Sequence, residues 1–138
     1  MLHSLPGITR VAYTQCNLLP PDISLRALAG VPVGVYTTVT DIPLYGEAEC
    51  ELETQFDNNS LVEKVKLTFN TLDDLPLFRQ LAFVIFTANG EIFLIGTKEL
   101  PYPSVKLTRS TGTPDGDPSV RKYEVSLTGR KALVLCAV

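Results

Sequence analysis

The stretch EAECELETQF, Glu47 to Phe56, alternates without a break: Ala48, Cys50, Leu52, Thr54 and Phe56 stand between Glu47, Glu49, Glu51, Glu53 and Gln55. A period of two puts one set of side chains on each face of a β-strand, whereas a helix would scatter the same residues around its axis. One face is therefore built for a core and the other for water. The return segment LVEKVKLTF, Leu61 to Phe69, carries the complementary pattern. With Asp57-Asn58-Asn59-Ser60 as a four-residue loop, antiparallel pairing sets Glu53 opposite Lys64 and Glu51 opposite Lys66 on the outside. The same register sets Leu52 opposite Val65 and Cys50 opposite Leu67 on the inside. A slip by one residue would drive the glutamates into the core, so the charges specify the register more than they stabilise it.

Other segments read as strands on the same grounds. LAFVIFTANGEIFLIGTKE, Leu81 to Glu99, turns at Asn89-Gly90, a dipeptide suited to the positive φ angles of a two-residue type I′ turn. Pairing outward from that turn places Phe83, Ile85, Thr87, Ile92 and Leu94 on one face, and Val84, Phe86, Ala88, Phe93 and Ile95 on the other. Both faces are apolar and call for cover, either from within the chain or from another subunit. SVKLTR (Ser104 to Arg109) and RKYEVSLT (Arg121 to Thr128) form a third hairpin, with Val105 and Leu107 on the side of Tyr123, Val125 and Leu127. Upstream, ITRVAYTQ and GVPVGVYTTVT read as strands, and LLPPDISLRALAG as an extended linker or a short helix ending near Gly30. In NTLDDLPLFRQ, Asn70 to Gln80, Thr71 with Asp74 three residues on has the form of a helix N-cap, so a short helical turn or a loop crossing between sheets is expected. The apolar tail KALVLCAV is a final strand or a segment docked on a neighbouring chain.

These spacings predict an all-β chain: an antiparallel β-sandwich or partly open β-barrel of roughly seven to nine strands, with at most one short helix. A length of 138 residues, 45% of them hydrophobic and 20% charged, fits one domain over residues 1–138 with a real core.

The chemistry is sparse. A net charge of -3, with twelve Lys and Arg spread among the strands, leaves no clustered basic surface for nucleic acid. No apolar run approaches the ~20 residues of a membrane span, and the N-terminus lacks a basic region followed by a signal-length apolar stretch, so synthesis in the cytoplasm without export is expected. Cys16, Cys50 and Cys136 are odd in number and widely spaced, which favours reduced, buried thiols over disulfides or zinc. The single histidine, His3, lies in a terminal segment expected to be mobile, a poor place for a nucleophile's base. Glu49, Glu51 and Glu53 share a face and offer paired carboxylates of the kind glycosidases use, but lysines lie across from them and a solvated, ion-paired face explains all three. The connector STGTPDGDPSV, Ser110 to Val120, holds Asp115 and Asp117 around a glycine. It lacks the oxygen-ligand series of a calcium loop, and Pro114-Asp115-Gly116 has turn chemistry, so a stiff projecting loop is the simpler reading. No cofactor is indicated.

From Asp73 to Leu133 the order of an NG hairpin, the segment IGTKELPYP and the connector TGTPDGDPSVRKY is similar to that of small uncharacterised proteins from the structural-gene regions of tailed bacteriophages and prophages. The resemblance brings no catalytic residue. It implies a place in a virion or its assembly, as a tail- or neck-associated β domain that forms homo-oligomers and meets other virion proteins through hairpin faces and loops. On that reading Phe86, Phe93, Ile95, Asp115 and Asp117 are the candidate interface residues. The rivals are a monomeric sandwich that binds carbohydrate or peptide, for which the absence of Trp is unfavourable, and an enzyme using paired carboxylates.

Overall fold

In the computed structural model the described residues are 2–4, 7–19, 23, 39–57, 60–72, 75–77, 79–96, 98, 102–109, 120–129 and 133–136. Ten strands among them form two five-stranded sheets in which every neighbouring pair is antiparallel. The first sheet runs, in spatial order, β1 (Leu2–Ser4), β4 (Glu49–Asp57), β5 (Ser60–Thr71), β9 (Arg121–Gly129) and β8 (Ser104–Arg109). The second runs β10 (Val134–Leu135), β7 (Ile92–Ile95), β6 (Leu81–Thr87), β2 (Ile8–Gln15) and β3 (Thr40–Ile42). The expected all-β sandwich is the observed fold, and the sheets do not close into a barrel.

The β4–β5 register is the one that the charges dictate: Glu53 faces Lys64, Glu51 faces Lys66, Leu52 faces Val65 and Cys50 faces Leu67. Pairing continues to Asp57 with Ser60, so the connection is two residues tighter than expected. On the inward face Val65, Leu67 and Phe69 are fully buried, as are Tyr123 and Val125 of β9. Phe69 stacks on Tyr123 with ring centroids 5.4 Å apart, and meets Phe83 of the opposite sheet at 6.1 Å. A buried aromatic pair of this kind contributes about 0.5–1.5 kcal/mol beyond the area it removes from water. Tyr123 also keeps its hydroxyl satisfied, accepting a 3.0 Å hydrogen bond from the Leu75 amide. That bond ties the crossing between the sheets to the core.

The β6–β7 hairpin differs from its expected register by one residue. Phe86 pairs with Ile92, Ile85 with Phe93, Val84 with Leu94 and Phe83 with Ile95. The cause is the turn: Thr87 and Glu91 close a three-residue loop, the Gly90 amide donates to the Thr87 carbonyl, and Gly90 takes φ +82°. This is the three-residue hairpin with glycine in the left-handed position, in place of a two-residue type I′ turn. The shift moves every β7 side chain to the other face. Phe93 and Ile95 join Phe83 and Ile85 against the first sheet, while Ile92 and Leu94 join Val84 and Phe86 outside.

The outer apolar face of β6 and β7 is covered from within the chain. Leu19 and Ile23, almost fully buried, pack there with Cys16, Val134 and Cys136 against Ala12, Ala82, Val84 and Leu94. The tail supplies part of this cover as β10, on the edge of its own sheet. The terminal segment with His3 is also paired, through β1, against Glu51 to Glu53 rather than left free. Thr71 does not cap a helix: it ends β5, fully buried, and its hydroxyl donates to the Pro43 carbonyl at 2.7 Å. Of the cap's other members, Asp73 and Asp74 lie outside the described residues, as do most of the segments LLPPDISLRALAG and GVPVGVYTTVT.

Candidate functional site

The feature that packing leaves unfinished is the far end of the β4–β5 hairpin. β1 stops opposite Glu53 and β9 stops opposite Glu63. Beyond them, the pairs Gln55 with Val62, Phe56 with Leu61 and Asp57 with Ser60 have only each other as strand neighbours among the described residues. Alternation continues the core face into this extension, and Phe56 and Leu61 occupy it at directly opposed positions. No sheet lies over them. Phe56 is 72% exposed and Leu61 52% exposed. A large apolar pair standing in water on a ribbon of two strands is unfavourable unless something else covers it.

The outer face of the first sheet is charged and well matched. Glu49, Glu51 and Glu53 line β4, Lys64 and Lys66 line β5, and Lys122 and Glu124 follow on β9. Lys66 places its Nζ 4.0 Å from one oxygen of Glu124, and Lys122 lies 3.6 Å from the other. Two shallow depressions on this face, of about 210 and 110 Å³, are lined almost wholly by these carboxylates and lysines. Such an arrangement suits a solvated, mutually neutralised surface, because carboxylates with cations beside them in water stay ionised. Gln55 adds to it by donating to Glu53 at 2.6 Å.

At one end of the second sheet, Gln15, Cys16, Asn17, Arg79, Gln80 and Tyr102 border an open cleft of about 240 Å³. Arg79 reaches the Gln15 side chain at 3.4 Å. The cleft lies below the 300–1,000 Å³ typical of small-molecule pockets. Its sulfur is no nucleophile. Burial pushes the Cys16 thiol up to about 11, from an ordinary 9.0. Cys136 rises to about 11 for the same reason, and Cys50 to about 12 through burial and then the neighbouring Glu51 charge. All three remain protonated thiols near neutral pH, as buried structural cysteines do. Among the described residues no group of three His, Cys, Asp or Glu side chains could hold a metal ion.

The candidate residues read from the sequence do not form one patch. Ile95 is fully buried and Phe93 half-buried on the core side of β7, both moved there by the three-residue turn. Phe86 is half-buried on the opposite side, with the Arg10 guanidinium 4.3 Å above its ring. Arg10 is held in turn by Asp41 at 2.5 and 3.1 Å. Asp115 and Asp117 lie outside the described residues, although pairing of Arg109 with Arg121 makes their segment the connection between two neighbouring strands. The exposed pair Phe56 and Leu61 was not singled out from the sequence. Its signal is an apolar pair directly beside a polar tip, and the alternation assigns it to the core face correctly. Where the opposing sheet ends is set by distant segments. Comparison with known protein families, curated proteins and solved structures returns no match to this chain.

Proposed function

We propose that the chain is a non-catalytic assembly subunit, a tail- or neck-associated part of a phage or prophage particle, that self-associates through its hairpins and loops. The observation that carries this reading is the exposed Phe56–Leu61 pair on a hairpin extension that outruns both its neighbouring strands. A sequence selected only for a stable monomer has no use for a core-type pair in solvent, where a polar residue would be neutral in stability and better for solubility. The ion-paired outer face and the protonated thiols favour a structural role in the same direction, since neither offers a group poised to react. The similarity of Asp73 to Leu133 to phage structural-region proteins supplies the biological setting.

Light scattering on the purified chain from micromolar to near-millimolar concentration tests the proposal. The mass of the wild type should rise with concentration, and Phe56→Asp should hold it at the monomer without lowering the melting temperature. A strict monomer over the whole range would remove the proposal and leave the monomeric binding module.

A further inference from the structure

The exposed large apolar side chains of the described residues are Tyr45, Phe56, Leu61, Leu72 and Leu77, and they fall into two groups. Phe56 and Leu61 stand where β5 begins. Tyr45 and Leu72 stand where it ends, twelve residues of extended strand away. There the Tyr45 amide donates to the Asn70 carbonyl at 2.8 Å, next to the isolated bridge between Leu44 and Thr71, and Leu72 follows Thr71 directly. Leu77 lies in the crossing that leaves the same end.

Two features make these poles fit each other. Their apolar areas match: taking about 200 Å² for a large side chain, the exposed fractions give roughly 250 Å² at each pole. Their polar rims are of opposite sign. The first pole has Glu53, accepting from Gln55, on the strand that carries Phe56. At the second, Arg121 donates to the Leu72 carbonyl at 2.9 Å and exposed Arg79 lies two residues after Leu77. A contact between like poles would oppose carboxylate to carboxylate or guanidinium to guanidinium, whereas a contact between unlike poles pairs them.

We infer that the partner of the Phe56–Leu61 pole is the Tyr45–Leu72 pole of a second copy, so that copies associate head to tail. This rests on the self-assembly reading above and adds its polarity. An interface of two different patches is heterologous: it leaves one pole free at each end of any open chain of subunits and allows growth beyond a dimer. The apolar area is small beside the ~800 Å² per partner of a stable pair, so each link is weak and concentration-dependent.

The test uses two full-length variants, Phe56→Asp with Leu61→Asp, and Tyr45→Asp with Leu72→Asp. All four positions are exposed, and circular dichroism melts identical to wild type establish that both variants are folded; serine replacements at the same sites serve if an aspartate pair lowers the melt. Wild type should grow in mass with concentration, and each variant alone should stay monomeric. An equimolar mixture of the two should recover a species of twice the chain mass and no larger, because it contains one intact interface and two blocked poles. If wild type assembles but the mixture remains monomeric, or if either variant assembles as wild type does, the head-to-tail inference is wrong while self-assembly stands. If wild type itself stays monomeric, both are wrong.

Discussion

The β4–β5 and β6–β7 hairpins are built from equally clear strand patterns, yet they constrain their own registers very differently. In β4–β5 the two faces differ in kind, glutamates and lysines on one and apolar residues on the other, and any slip of one residue buries charge. In β6–β7 both faces are apolar, so a slip exchanges one set of apolar residues for another and no large energy opposes it in the strands themselves. The register there is decided by the turn, and specifically by whether Asn89-Gly90 forms the whole loop or its last two residues. Side-chain chemistry thus sets one register and three backbone angles the other. The same contrast reverses at the tips, where the well-specified hairpin is the one that ends with apolar groups in water.

The strongest contrast is between two phenylalanines. Phe83 is fully buried between the sheets, and Phe83→Ala is expected to lower stability by about 3–5 kcal/mol. Phe56→Ala is expected to change it by no more than about 0.5 kcal/mol in dilute solution, since exposed side chains contribute little to monomer stability. Urea unfolding of both variants measures the difference, and a large loss for Phe56→Ala at low concentration would show that the extension is part of the core.

Next in size is Gly96, just beyond β7, which adopts φ +125°. A β-carbon there would stand 2.8 Å from the Ala82 β-carbon and 3.2 Å from Pro103. Gly96→Ala therefore combines backbone strain with overlap against backbone-anchored atoms, and a destabilisation of about 2–4 kcal/mol is expected in thermal or urea melts. Deleting Ala88 probes the turn more finely. With Thr87 opposite Glu91, removal of Ala88 leaves Asn89-Gly90 as a two-residue loop that keeps the β7 register. The expected loss is about 1 kcal/mol, mainly the Ala88 amide bond to the Gly7 carbonyl. Unfolding of that variant would contradict the three-residue loop. The smallest effect belongs to Lys64→Glu with Lys66→Glu, about 0.2–1 kcal/mol for each position and weaker in high salt, because the pairs are exposed.

Legibility followed the range of the determinants. The β4–β5 register, the shared face of Val105, Leu107, Tyr123 and Val125, and the class of fold were all local patterns and could be read directly. The β1 strand escaped notice because Leu2 to Ser4 carries no periodic signal, and its pairing with Glu51 to Glu53 spans some fifty residues. Thr71 looked like a cap because its partner, the Pro43 carbonyl, comes from a different part of the chain. Glu63 sits on the inward face and is buried and engaged, a position that charge alone argues against. The candidate interface was misplaced for a related reason: one residue of turn length decided which side of β7 carried Phe93 and Ile95, and the reach of the second sheet decided that Phe56 and Leu61 would be the pair left uncovered.

Amide hydrogen exchange followed as a function of protein concentration reaches the assembly reading most directly. Three residue pairs beyond the last neighbouring strand should open readily in an isolated monomer. If a second copy covers the extension, protection at Gln55, Phe56, Leu61 and Val62 will rise from dilute to concentrated protein, while protection across β6 and β7 stays constant. Exchange at the extension that does not depend on concentration would contradict it.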